Sequence, residues 1–238
     1  MPDLLTFAAA LALAGAFPLA RYCQRFTSRV KHTWQALSAG VAIAYVFIHV
    51  LPELEEHQRH STASPVEALL HAEKHIYLWA LAGFVLFAGL SRLRSLQASA
   101  NSGRARTSFW TIMAGYSSYC LLIGYVMVHR RDATDLTLGP FVFAMALHLF
   151  MVDSELTERY PALYGTPTRI LLSGGLLLGW GLGVADALPI SFTSRLFAFV
   201  AGGVVILAAN EELPTREDGR FWWFVAGSVF YSALLLLL

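Results

Sequence analysis

The sequence predicts an all-α membrane protein, a polytopic helical bundle with about eight spans. Hydrophobic residues make up 56% of the 238-residue chain and charged residues only 14%, whereas average soluble domains carry about 25% charged residues. The mean hydropathy is +0.55. Apolar runs recur along the whole chain and approach the roughly 20 helical residues that cross a bilayer core. These features exclude a disordered chain, a disulfide scaffold and an ordinary soluble enzyme.

Eight apolar segments are the predicted spans, and each ends where charged or turn-forming residues return. In chain order they are approximately Leu4–Ala20, Trp34–Leu54, Ile76–Leu93, Phe109–Val128, Leu138–Met151, Ile170–Ala187, Phe192–Ala209 and Phe221–Leu238.

The first four spans follow from simple boundaries. The first is interpreted as a retained span and not as a signal peptide, because Asp3 is the only early charge and no clear cleavage point precedes Arg21. The second runs into Pro52 and Glu53 at its outer end. The third ends at a basic segment, and the fourth carries the neutral hydroxyl-rich run Tyr116–Cys120, which is expected to bond across helices.

The last four spans carry more acid and more glycine. The fifth is short and runs into Asp153 and Glu155, so it is expected to continue as a helix that carries carboxylates. The seventh is closed by an acidic, proline-containing turn that includes Glu211. Glycine-rich stretches in the sixth and seventh spans allow close helix packing, either within one chain or between the two chains of a homodimer.

The chain is expected to be one transmembrane domain over residues 1–238, with no soluble domain. Residues 55–74 form the longest outer loop, which is rich in His and Glu, and residues 95–107 form a basic cytoplasmic loop. If both termini are outside, twelve Lys and Arg residues lie on the inner side and five on the outer side, as the positive-inside rule requires. We therefore expect a multi-pass cell-membrane protein in the lipid bilayer. The net charge of +1 predicts no nucleic-acid partner.

Three groups of ionisable residues fall near membrane depth, where each costs several kcal/mol unless it is paired or used. His49 and Glu53 are four residues apart and share one helix face. The alternative interpretation is a helix end at which Pro52 loosens the backbone and the acid meets water.

The other two groups lie in the fifth and seventh spans. His148 and Glu155 lie on nearly the same stripe of the fifth span, with Asp153 offset from it. His148 can equally be a hydrogen-bonded core histidine, and the two acids a solvated helix end. Glu211, in the seventh span, can equally belong to a helix cap. Imidazole and carboxylate donors suit a borderline divalent cation such as zinc.

The run from Gly40 to Glu53, which ends in His49-Val-Leu-Pro52-Glu53, resembles the second span of the ZIP (Zrt/Irt-like) metal transporter family. The eight spans, the external termini and the long cytoplasmic loop after the third span agree with that resemblance. His148 stands about where the family's fifth span begins a His-Glu-x-x-His motif. The resemblance implies a divalent metal cation as cargo, no resident cofactor, and an inverted relation between the first three and last three spans. That relation pairs the His49–Glu53 end with the segment that contains Glu211.

The chain departs from the family's metal-binding pattern. The fourth span has no His, Asn or Asp where the family carries them. In the fifth span, Leu149 and Val152 replace the acid and the second histidine. A two-metal site of the usual form therefore cannot be assembled.

Three functions remain open at this point. The first is a divergent cation permease, in which ions enter at His49 and Glu53, are bound by His148 and Asp153, and leave past Glu155. Because no nucleotide-binding loop is present, movement is expected to follow the ion's gradient or the membrane potential. The second is a transport-inactive sensor or partner-binding membrane protein. The third is an intramembrane metal-dependent lipid hydrolase, although no catalytic motif supports it and the chain is predicted not to be an enzyme.

Overall fold

A computed structural model describes residues 2–23, 28–53, 55, 73–96, 102–129, 135–185, 188, 190–212 and 221–237. In these residues the chain forms eight helices and no strand, which confirms the all-α helical bundle. The helices are α1 (Pro2–Cys23), α2 (Ser28–Tyr45, continued by a π-helical turn at Val46–Val50 and ending at Glu53), α3 (Glu73–Leu96), α4 (Ser102–Val128), α5 (Asp135–Arg159), α6 (Thr166–Val184), α7 (Ile190–Glu212) and α8 (Phe221–Leu237).

Each predicted span coincides with one helix, and several helices run beyond their apolar segment. Helix α5 continues through the acidic residues to Arg159, as expected. Helices α3 and α4 extend into the segment predicted as the basic loop 95–107, so that only residues 97–101 separate them. The reason is that hydropathy locates only the apolar part of a helix. The backbone bonding of the helix continues into the interfacial layer, where arginines are favourable.

Helices α2, α4, α5 and α7 are each long and apolar enough to cross a membrane, and α1, α3 and α8 are apolar over shorter stretches. The glycine-rich helix α6, with Arg169 near its start, is not among these seven. Large apolar side chains such as Leu4, Trp222 and Leu237 point outward and are more than 70% exposed. A surface of that kind suits a lipid environment, because lipid tails solvate such side chains.

Three helix pairs pack at backbone distance through glycines that face each other. In the α2–α8, α3–α7 and α4–α6 pairs, a Cβ added to a glycine of either helix would overlap a carbonyl oxygen of its partner. The glycine and carbonyl positions are Gly40 against Phe224, Gly227 against Leu37, Gly83 against Phe199, Gly202 against Ala80, Gly124 against Leu176 and Gly179 against Leu121. Small residues allow this approach, which strengthens van der Waals contact where no hydrophobic effect drives association.

The register of glycine and aromatic contacts along the helices shows that the three pairs are parallel. Along α4 and α6, for example, Gly175 contacts Ser117 and Gly183 contacts Tyr125, so both chains advance in the same direction. Each pair joins two even-numbered or two odd-numbered helices. Such helices run in the same direction when a chain crosses the membrane in alternating directions. Because it lies alongside α4 in this way, α6 occupies the same depth as a spanning helix.

The packing divides the helices into two groups. In the first, α1 contacts α4, α5 and α6, and α4 packs on α6; in the second, α7 packs on α2 and α3, and α8 packs on α2. The interface between the groups is formed mainly by α2 with α5 and by α4 with α7. The candidate residues of α2, α4 and α5 therefore lie on helices that meet at this interface.

Candidate functional site

The imidazole of His148 is buried at the middle of α5, with only 1% of the residue exposed. Its Nε2 atom lies 3.1 Å from the hydroxyl of Tyr119 on α4. Its Nδ1 atom is also buried and has no hydrogen-bond partner in the protein. An unsatisfied buried polar atom costs about 1–3 kcal/mol, so this nitrogen is a candidate ligand-binding position.

Tyr119 holds the imidazole in a defined orientation. The Tyr119 ring is fully buried and packs edge-on against Phe87 of α3, with ring centroids 4.9 Å apart. A histidine that binds a metal commonly donates its other ring N–H to a second group, which orients the ring and sets the tautomer. With the proton on Nε2, His148 donates to the Tyr119 oxygen, and Nδ1 carries a lone pair that can accept a hydrogen bond or bind a metal.

His49 and Glu53 lie together at the end of α2 that is predicted to be outside. The His49 Nε2 and Glu53 Oε2 atoms are 3.8 Å apart, and both side chains are partly exposed. The backbone reaches them through the π-helical turn, in which the Leu51 N–H donates to the Val46 carbonyl. A wider turn lets the helix accept Pro52, which has no N–H and crowds the carbonyl four residues earlier. The turn therefore lets α2 continue past Pro52 as a helix that carries both His49 and Glu53.

Asp153 forms a buried ion pair, which the sequence did not reveal. Its carboxylate is fully buried and accepts from Arg169 at both oxygens, Nε to Oδ1 at 2.7 Å and Nη2 to Oδ2 at 3.1 Å. The hydroxyl of Tyr164 donates to Oδ1 at 2.5 Å. Arg169 also donates to the hydroxyl of Thr157, which itself donates to the Asp153 backbone carbonyl. We call these four residues the Asp153 cluster.

The Asp153 cluster neutralises the carboxylate and occupies both of its oxygens. Asp153 is therefore poorly suited to bind a passing cation, the role that the sequence suggested for it. Burial, and then the Asp153 charge, raise the pKa of Tyr164 well above its usual value, so its hydroxyl stays protonated and continues to donate. Glu155 is turned to a different partner, with its carboxylate 3.5 Å from Arg159.

The predicted site residues are thus distributed over separate places. No group of three or more His, Cys, Asp or Glu side chains in the described part of the chain is arranged to hold a metal ion. Glu211 lies in the last turn of α7, but its side chain falls outside the described residues, as do those of His57, His60 and His71 in the outer loop. The described residues also bring together no three zinc ligands of the kind a hydrolase requires.

Sequence reasoning missed Tyr164 and Arg169 as partners of Asp153; it expected the Tyr116–Cys120 run to bond across helices, as Tyr119 does, but did not identify the pair with His148. An available signal was an arginine close to the start of an apolar helix, directly after a span that ends in acids. Charges in such positions are expected to pair with one another.

No protein-family model matches the chain, and no curated protein is significantly similar to it.

Proposed function

We propose that this protein is a membrane carrier for a divalent cation, with His148 as the central ligand. The observation that carries the proposal is the buried Nδ1 atom of His148, which has no protein partner and lies on a helix at the interface between the two helix groups. An imidazole nitrogen is a preferred ligand of zinc and related ions. The ZIP-like ending of α2 supports the same class of cargo.

The arrangement along α2 supports an entry route from the outer side. His49 and Glu53 offer one imidazole and one carboxylate near the surface, where an arriving cation can exchange its first waters. The ring of Tyr45, 5.3 Å from His49, lies deeper and contacts Phe141 of α5 with ring centroids 6.0 Å apart. His148 is two helical turns further along α5. Aromatic side chains therefore lead from the outer pair to the helix face of α5 that carries His148.

Electrostatics favours weak and transient binding at His148. Removing a cation completely from water costs far more than one neutral imidazole returns. The ion must therefore keep much of its hydration shell while it is bound. Conduction requires such a balance, in which binding is strong enough for entry and weak enough for release.

The two helix groups offer a mechanism for alternating access. His148 and Tyr119 belong to the group with α4 and α5, whereas Tyr45 and His49 belong to α2 in the other group. Carriers commonly expose a central site to either side by rocking one group against the other. In this proposal the interface between α2 and α5 opens first outward and then inward, past Glu155.

Purified protein in liposomes tests the proposal. Zinc or manganese uptake above that of empty liposomes is expected, and His148→Ala is expected to reduce it at least tenfold. His129→Ala is the matched control, because it also removes an imidazole, at the end of α4, where the His129 Nδ1 atom lies 3.2 Å from the Tyr125 carbonyl oxygen. Uptake equal to that of empty liposomes for every cation tried would refute the carrier function.

A non-transporting membrane sensor or partner-binding protein is the second candidate. The observation in its favour is the Asp153 cluster, which uses a buried acid for structure where the first interpretation needed it for an ion. A folded protein that is inactive in the liposome assay, and that binds no cation at membrane depth, supports this candidate.

A further inference from the structure

Ser38 on α2 is a second buried polar group with no protein partner. The residue is 1% exposed, and its Oγ atom makes no hydrogen bond. A serine within a helix usually satisfies its hydroxyl by donating to the carbonyl four residues earlier. Thr111, Ser118 and Thr157 do so in this protein. The hydroxyl of Ser38 is therefore buried without the hydrogen bond to its own helix that such serines usually make.

Helix geometry places Ser38 at about the same depth as His148, on the face of α2 that carries Tyr45. Ser38 precedes Tyr45 by seven residues, and His148 follows Phe141 by seven residues, so each pair lies on nearly one helix face. The Tyr45 and Phe141 rings meet at 6.0 Å across the α2–α5 interface. Because the two helices differ in parity, they cross in opposite directions, and two turns along each leads to the same depth.

We infer that the Ser38 Oγ and the His148 Nδ1 face one small site between α2 and α5, and that Ser38 supplies an oxygen donor to the cation bound there. The inference rests on the proposed carrier function and adds a ligand that determines its specificity. One nitrogen and one oxygen donor, completed by water, suit partly hydrated divalent ions such as zinc and manganese.

Ser38 and His148 lie in the two helix groups that move against each other in the proposed transport cycle. His148 belongs to one helix group and Ser38 to the other, so an ion that contacts both bridges the interface between the groups. Removing the hydroxyl then weakens ion binding, while the turnover of the bound carrier changes little. A purely structural serine would instead affect the amount of folded protein and leave the ion affinity unchanged.

Uptake kinetics in liposomes test this role. Ser38→Ala is expected to raise the KM for the transported ion by about three- to tenfold, the loss of one ligand contact, with kcat within twofold of wild type. Ser38→Thr keeps a hydroxyl and is expected to retain the wild-type KM. Ser173→Ala is the matched control. It also removes a half-buried serine hydroxyl, but Ser173 donates to the Ala14 carbonyl, and both residues lie in the helix group that does not contain Ser38.

A change of donor chemistry provides an independent readout. In a background with Cys23→Ser and Cys120→Ala, Ser38→Cys replaces the oxygen by sulfur. The ratio of cadmium to manganese uptake is expected to rise about tenfold, because thiolate prefers softer ions. If wild type transports a cation but both the KM of Ser38→Ala and the ion preference of Ser38→Cys are unchanged, the Ser38 inference fails and the carrier function stands. If wild type transports no cation, both fail.

Discussion

The buried ionisable residues Asp153 and His148 differ in the partners that surround them. Asp153 and His148 are both buried, but Asp153 is compensated by Arg169 and Tyr164, whereas the Nδ1 atom of His148 has no hydrogen-bond partner in the protein. Removing one partner of a buried ion pair leaves an uncompensated charge in a low-dielectric interior, which costs more than the pair itself contributes. The Asp153 cluster is therefore expected to determine stability, and His148 activity.

Removing the Arg169 charge should strongly destabilise the fold. Arg169→Leu leaves the Asp153 carboxylate buried without its cation, and the free energy of unfolding in detergent should fall by about 3–5 kcal/mol. The double variant Asp153→Leu/Arg169→Leu should recover most of that loss. Arg159→Ala, which removes a half-exposed ion pair with Glu155, should cost less than about 1 kcal/mol. Equal losses for the Arg169 and Arg159 variants would contradict this assignment.

Tyr164 should contribute to the alkaline stability profile. Its pKa in the folded protein is raised, mainly by burial and then by the Asp153 charge, whereas an unfolded tyrosine ionises near pH 10. The unfolded chain therefore loses this proton first, and the Tyr164 contribution to stability is fully present below about pH 10 and declines above it. Tyr164→Phe should cost about 1–3 kcal/mol at neutral pH.

Unfolding measured from pH 8 to pH 11 checks this. Tyr164→Phe should lose stability less steeply above pH 10 than wild type. Parallel pH profiles for the two proteins would show that the hydroxyl is not held protonated by the cluster.

At the scale of helices, close packing depends on a few glycines. The α2–α8, α3–α7 and α4–α6 pairs each bring a glycine against a backbone carbonyl of the partner, which cannot move aside as a flexible side chain can. Other glycines in the same helices face open space, which separates the effect of packing from that of helix propensity.

Alanine substitutions should divide these glycines into two classes. Gly179→Ala would drive a Cβ into the Leu121 carbonyl and should destabilise the protein by about 1–3 kcal/mol through overpacking. Gly181→Ala, in the same helix with nothing within 4 Å, should be neutral or slightly stabilising, because alanine favours the helix. Thermal unfolding of the two variants in one detergent gives the comparison. Equal effects would argue against the parallel pairing of α4 and α6.

At the scale of the whole molecule, the contacts follow a pattern expected of an inverted repeat. Exchanging the first three helices with the last three, and α4 with α5, converts the α2–α8 pair into α7–α3 and the α1–α5 contact into α6–α4. In a chain that crosses the membrane alternately, such an exchange relates halves of opposite orientation.

Topology mapping tests the proposed alternation and orientation. In a Cys23→Ser/Cys120→Ala background, Glu55→Cys and Ala162→Cys place single thiols at two exposed positions, after α2 and between α5 and α6. A membrane-impermeant maleimide should label Glu55→Cys in intact cells and Ala162→Cys only after permeabilisation. Labelling of both from the same side would refute the alternation, and the reverse pattern would refute the orientation.

Much of the fold was predictable because its signals are local. The eight helices were predicted from apolar runs, and the continuation of α5 past Met151 was predicted because its apolar segment is short and runs directly into acidic residues. The burial of His148 at mid-span was also expected. The pairing of that histidine with Tyr119 was not predicted, because Tyr119 is 29 residues away and on another helix.

Hydropathy and helix periodicity were sufficient to establish a membrane bundle and to select His49, His148 and Asp153 as unusual. Assigning a role to each required the packing of the helices. The same buried carboxylate can bind an ion or hold a helix, and the choice depends on an arginine 16 residues away. Only folding brings that cation within hydrogen-bond distance, because Coulomb interactions depend on separation in space and not along the chain.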